Sequence, residues 1–233
     1  NMAEDIYLTA IGSFDAWVAK YDGAGHQLWK RPFSPTASGT GAAAIDAPGN
    51  VYLAGASTNP STSSVDVWVT KYDAAGRVLW SRSLTTDSIF NSVSDLTIDQ
   101  RGNLFLSGTA FVGTTGLWDA WLTKLDAVGH VLWKQQFGTA STDISVGVTI
   151  DAANDIYWAG YTNGPLGLDP WLVKYDNIGR VLWKRTFASD NATYPNGVAT
   201  DTAGNVYLAG LTAKSLGKND NAWLAQYSAA GHA

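Results

Sequence analysis

Apolar residues in this chain fall into short runs that alternate with turn-forming clusters, and the runs have the length and content of strands. Between Gly41 and Arg82 there are four, GAAAID, NVYLAG, DVWVTKYD and RVLWSRSL. They are rich in Val, Ile, Tyr, Trp and Leu, alternate over part of their length, and are bounded by Gly, Asn, Asp or Pro, which favours strands over helices. In chain order they are strands A, B, C and D. The A–B connections read DAPGN, DQRGN, DAAND and DTAGN at 46–50, 99–103, 151–155 and 201–205. The C–D connections read YDGAGH, YDAAGR, LDAVGH, YDNIGR and YSAAGH. In such segments Asp can bond its own turn and Gly or Asn accepts positive φ, so both predict hairpins.

The whole four-strand pattern recurs. Trp17, Trp68, Trp121, Trp171 and Trp223 lie 51, 53, 50 and 52 residues apart, each within a copy of the same strand C. Four-stranded antiparallel units at this period, with no helical spacing between them, predict a β-propeller with one unit per blade. A β-solenoid is the alternative, but its coils are usually shorter and need no second hairpin. Strand A is small and partly polar (GAAAID, DLTID, GVTID, GVATD), as suits the crowded centre of a ring, whereas the tryptophans of C and D can fill the wider gaps further out. The copies run BCD, then ABCD three times, then ABC. The expected fold is all-β: a five-bladed propeller of four-stranded antiparallel blades in one domain, 1–233, with incomplete closure at the termini. Its units lie near 1–40, 41–93, 94–145, 146–196 and 197–233.

Composition narrows the function classes. A net charge of −5 lacks the basic surplus of a nucleic-acid surface. The absence of cysteine removes disulfides, thiol catalysis and Cys-based metal sites. No apolar run approaches the roughly 18 residues of a membrane span, so no membrane insertion is expected. His26, His130 and His232 occupy one turn position, which Arg77 and Arg180 fill in other copies, so they read as turn residues rather than metal ligands. No GxSxG elbow occurs, and the one glutamate, Glu4, sits near the first residue. Neither a cofactor nor a metal is expected.

The segments GVATDTAGNVYLAG at 197–210 and DAWVAKYDGAGHQLW at 15–29 carry a family resemblance. The chain resembles the bacterial β-propeller repeat family called SBBP, whose units pair GVAxDxxGNVYLxG with DAWxAKYDxxGxxLWxRxF. The resemblance implies a bacterial source and an extracellular or cell-envelope setting. It carries no catalytic residues across.

Variation concentrates on one side of the expected ring. The A–B and C–D turns are short and repetitive, whereas the B–C and D–A connections differ from unit to unit and combine hydroxyls and amides with isolated aromatics. Loops on a rigid scaffold are where binding groups usually sit, and aromatic faces beside Asp, Asn, Ser and Thr suit sugars. The ligand-binding candidates are Phe90, Phe111, Trp118, Asp119, Tyr161, Asn163, Asp169, Tyr194, Asn196 and Asp220. Trp118 leads them, because it lies outside the repeated pattern beside Asp119; the competing reading is a lid packed on its own blade. Asp119, Asp169 and Asp220 recur before strand C and could instead bond loop amides. The functional expectation is a non-catalytic, lectin-like scaffold, not an enzyme, recognising a carbohydrate or protein partner through this side. The alternatives are an assembly module that forms a homo-oligomer through unpaired blade edges, and a polysaccharide-active enzyme.

Overall fold

Eighteen strands and the turns between them account for nearly all of the described chain. The structure, a computed structural model, describes residues 5–11, 16–32, 37–58, 64–84, 91–164, 167–187, 192–213 and 221–232. Strands β1 (Ile6–Ile11), β2 (Ala16–Tyr21) and β3 (Gln27–Pro32) form an antiparallel sheet. Strands β4 (Ala37–Ile45), β5 (Val51–Thr58), β6 (Val65–Tyr72) and β7 (Val78–Leu84) form the next, in chain order. So do β8 (Asn91–Ile98), β9 (Leu104–Val112), β10 (Leu117–Leu125) and β11 (Val131–Phe137). The fourth set is β12 (Asp143–Ile150), β13 (Ile156–Asn163), β14 (Leu168–Tyr175) and β15 (Val181–Thr186). A single parallel bridge, Leu168 to Ala192, joins it to β16 (Ala192–Thr200), β17 (Val206–Ala213) and β18 (Asn221–Tyr227). The predicted A–B–C–D meander is therefore present, antiparallel within each set. The chain divides into two compact units, Asn1–Val93 and Ser94–Ala233. Among the described residues no helix is long and apolar enough to cross a membrane.

The repeated residues explain the sheets. Register places Gly55, Gly108, Gly160 and Gly210 opposite Trp68, Trp121, Trp171 and Trp223. The space beside Gly55, Gly160 and Gly210 is taken by the facing indole, so the glycine of strand B is the seat of the tryptophan of strand C. In each complete set the aromatic near the start of strand B meets the Trp of strand D: Tyr52 with Trp80, Phe105 with Trp133, and Tyr157 with Trp183, at 5.9–6.1 Å. The strand C lysine lies over the same ring, at 4.7 Å for Lys71, 5.1 Å for Lys124 and 4.8 Å for Lys174.

Blade is tied to blade by the same signature. In the first unit, Trp29 Nε1 donates to Ala74 O at 3.1 Å and Arg31 Nε to Gly76 O at 3.0 Å. In the second, Trp183 Nε1 donates to Ala229 O and Arg185 Nε to Gly231 O, both at 3.0 Å. Gln135 Nε2 makes the corresponding bond to Gly179 O at 2.9 Å. The LWxR run of strand D and the C–D turn of the following blade are thus two halves of one joint. Apolar packing completes it: Phe137 stacks on Trp171 at 4.2 Å, and Trp158, fully buried, meets both rings.

The turns are built on aspartate. Asp73 Oδ1 accepts the N–H groups of Ala75 and Arg77, and Asp126, Asp176 and Asp201 accept in the same pattern. The third residue after each Asp has positive φ and is Gly except at Asn154, whose φ is 64°. Backbone bonding holds Asp22 and Asp73 below the usual aspartate range, and the Asn205 side chain does so first at Asp201. At Asp126 and Asp176 burial opposes the shift, and the bonds to His130 and Arg180 outweigh it. A depressed folded pKa supplies stability that is present above the unfolded value and lost as pH falls through the folded one. Thermal unfolding followed by circular dichroism is expected to give a flat midpoint down to about pH 5 and a steep fall below about pH 4.

Candidate functional site

The B–C and D–A connections of the second unit bring the candidate aromatics into two pairs. In the first, β9 runs to Val112 and β10 starts at Leu117, so the connection is a tight turn through Gly113–Gly116, with Gly116 at φ 71°. Extension of the hairpin puts Trp118 in a strand, directly opposite Phe111, with the rings edge-to-face at 5.4 Å. Both are half-buried. Asp119, the next residue, accepts a bond from Gln136 Nε2 at 2.6 Å, which fixes its carboxylate across strand β11.

The second pair spans two blades. Tyr161 near the end of β13 and Tyr194 in β16 meet edge-to-face at 6.2 Å, with Tyr194 40% exposed. Burial, with the Tyr194 hydroxyl beside it, raises the Tyr161 pKa above the ordinary phenol value. Register sets Asp169 opposite Thr162 and Leu168 opposite Asn163, so Asn163 and Asp169 stand at the same end as Tyr161. Asn196 follows two residues after Tyr194 and is exposed. Phe90 and Asp220 lie outside the described residues. Thus Phe111, Trp118 and Asp119 form one cluster, and Tyr161, Asn163, Asp169, Tyr194 and Asn196 mark the other.

Two carboxylates absent from the candidate set support this side. Asp143 is fully buried and accepts bonds from Thr139 N at 2.6 Å and from Thr162 Oγ1, tying the D–A connection to the strand that carries Tyr161. Asp95 stands in inner strand β8 and accepts Leu96 N at 2.8 Å and, from the neighbouring inner strand, Val148 N at 3.0 Å. Burial raises its pKa, overcoming the two backbone bonds that lower it. Its place in the repeat is taken by Gly147 and Gly197 in the following units, and that break in the pattern is the sequence signal for it. Around it the inner strands are linked by hydroxyls: Ser94 Oγ donates to Ser145 O at 2.9 Å and Thr200 Oγ1 to Ile150 O at 2.8 Å. Among the described residues no group of three or more His, Cys, Asp or Glu side chains is placed to hold a metal ion.

The repeat chemistry now has an external counterpart. Residues 132–167 and 182–216 are SBBP β-propeller repeats. These SBBP segments run from strand D of one blade into strand B or the B–C connection of the next, and so include the blade-to-blade joint. Among curated proteins, the chain is 28% identical over 170 residues to the regulatory protein FlaEY of Caulobacter vibrioides, a match covering 62% of this chain and 18% of that protein. Among solved structures it resembles a puromycin hydrolase at 15% identity, TM-score 0.58, covering 90% of this chain and 35% of that one. It also resembles the α-L-arabinanase of Penicillium chrysogenum at 9% identity, TM-score 0.56, covering 98% and 79%. A family PL25 ulvan lyase matches at 10% identity, TM-score 0.60, covering 97% and 67%. The chain therefore spans under a fifth of FlaEY and about a third of puromycin hydrolase, and at these identities the structural likenesses establish the propeller fold.

They also correct the functional expectation. A non-catalytic scaffold, or a pure assembly module, is not what shares this fold: the similar structures are a hydrolase, an arabinanase and a polysaccharide lyase. The scaffold reading arose because nearly every repeated polar residue has a structural duty, as Asp73 and Arg31 do. The groups that break the repeat, Asp95 and the two aromatic pairs, carry no such explanation from symmetry.

Proposed function

We propose that this chain is the propeller part of a carbohydrate-active enzyme, with its five repeat units as five blades, and that it holds a neutral glycan across the B–C and D–A side of the second unit. The observation that carries the reading is the pairing of partly exposed aromatics, Phe111 with Trp118 and Tyr161 with Tyr194, beside Asp119, Asn163, Asp169 and Asn196. Edge-to-face pairs fix ring orientation, leaving a face for the apolar patches of a sugar ring, while the amides and carboxylates serve its hydroxyls. The arabinanase and the ulvan lyase on the same fold support carbohydrate as the substrate class.

Hydrolysis fits better than elimination. Elimination removes the proton next to a uronate carboxylate, whose charge a cation must offset. Among the described residues of the B–C and D–A connections there is no Lys or Arg; Lys214 and Lys218 lie outside them. Trp118→Ala is expected to weaken binding of neutral oligosaccharides by about tenfold or more, with unfolding unchanged beyond the loss of one ring contact. Isothermal titration against arabino-, xylo- and gluco-oligosaccharides measures this, and equal binding by wild type and variant would remove the aromatic pair from the site.

A further inference from the structure

Asp95 breaks the repeat at a position where bulk is excluded. The sister residues Gly147 and Gly197 are the smallest available, and a side chain added at Gly147 would meet the Asp95 carboxylate at 3.2 Å and Val198 at 3.3 Å. A carboxyl group has thus been placed on the innermost strand, between β8 and β12, and it is half-buried rather than sealed. It also sits at the root of both aromatic pairs. Ser94, the preceding residue, bonds to Ser145 O at 2.9 Å. Ser145 N donates to Thr109 Oγ1 at 3.1 Å, two residues before Phe111 on β9. Ile144, one residue before Ser145, is the register partner of Tyr161.

We infer that Asp95 is the general acid of the glycan cleavage, an inference that rests on the reading of the variable side as a glycan site. In its protonated form Asp95 gives its proton to the glycosidic oxygen as the bond from that oxygen to the anomeric carbon breaks. A water molecule adds its oxygen to the anomeric carbon, and the proton it sheds passes to solvent, from which Asp95 is recharged. One glycosidic bond and one water are consumed and two hydroxyls are produced.

The surroundings keep the acid protonated. Burial raises the Asp95 pKa, as a group that must hold a proton near neutral pH requires. Strand β9 carries no ionisable side chain, β12 carries only Asp143, five residues before Val148, and β16 carries only Tyr194. No cation on these strands opposes the shift.

The test uses Asp95→Gly, which restores the residue of the sister strands, beside Asp95→Asn. Both variants are expected to fold and to bind glycan as wild type does, while kcat on the natural glycan falls about 10²–10⁴-fold and KM changes little. The loss is expected to shrink strongly on nitrophenyl glycosides, whose leaving group needs no proton, and the high-pH limb of the wild-type rate profile is expected to disappear. Cleavage by Asp95→Gly at the wild-type rate, or an equal loss on natural and activated substrates, would overturn the acid role while leaving the glycan site standing. No cleavage of any glycan or aryl glycoside by the wild type would overturn both.

Discussion

Gly160→Ala is expected to unfold the second unit or to lower its stability by about 3 kcal/mol or more, whereas Gly113→Ala should change stability by less than about 0.5 kcal/mol. A methyl group at Gly160 would run into the carbonyl oxygen of Ile144 and the ring of Trp171. Neither can move. Ile144 is held in the β12–β13 ladder, and Trp171 is fully buried, stacked on Phe137 and flanked by Trp158. Gly113, in the turn after β9, has nothing within 4 Å of an added methyl. The two substitutions are chemically identical, so the difference isolates the Gly–Trp seat from any general effect of glycine on the unfolded chain. Urea unfolding of both variants decides it.

A second large effect separates two lysines at the same place in the repeat. Lys174→Met is expected to cost about 3–5 kcal/mol, and Lys124→Met about 1 kcal/mol. Lys174 lies 2.9 Å from Asp155 and 3.4 Å from Asp151, with both members of the Asp151 pair almost fully buried. Burial alone would lower its pKa, but the bonds to Tyr157 and Asp155 outweigh it and raise the value. Removing the ammonium leaves the Asp151 carboxylate buried without its cation.

Lys124 has Phe105 where the other units have tyrosine and Asn103 where the fourth set has Asp155, and burial lowers its pKa. Its Nζ donates to Asn177 O at 2.7 Å, a carbonyl that Trp133 Nε1 also reaches at 3.4 Å. Methionine there loses one hydrogen bond and strands no charge. If the two variants prove equally destabilised, the lysine acts through its packing over the aromatic ring and the ion pairs are incidental.

The same contrast explains what could be read in the sequence. Features that repeat were legible, because each unit must solve the same backbone problem: the Asp–Gly turns, the four-strand meander and the tryptophans of strands C and D all stand where the pattern places them. The SBBP resemblance is matched at 132–167 and 182–216. The site was legible only in part. Phe111 and Trp118 were recognised as off-pattern, but their pairing depends on a turn as short as Gly113–Gly116, which no spacing between them announces. Tyr161 and Tyr194 are 33 residues apart in the sequence, and only the packing of β13 against β16 brings them together. Asp95 was passed over because the search for carboxylates followed the repeated aspartates, which serve turns. A functional group in a repeat protein is more visible as a departure from its sister positions than as a member of them.

The central claim is that the second unit cleaves neutral glycans by hydrolysis. The most direct measurement is product analysis after incubating the purified chain with neutral arabinan, xylan and glucan beside uronate-containing polysaccharides. The account predicts new reducing ends from at least one neutral polymer, with no ultraviolet-absorbing unsaturated uronate from any. Unsaturated products, or no new reducing ends from any polymer, would contradict it.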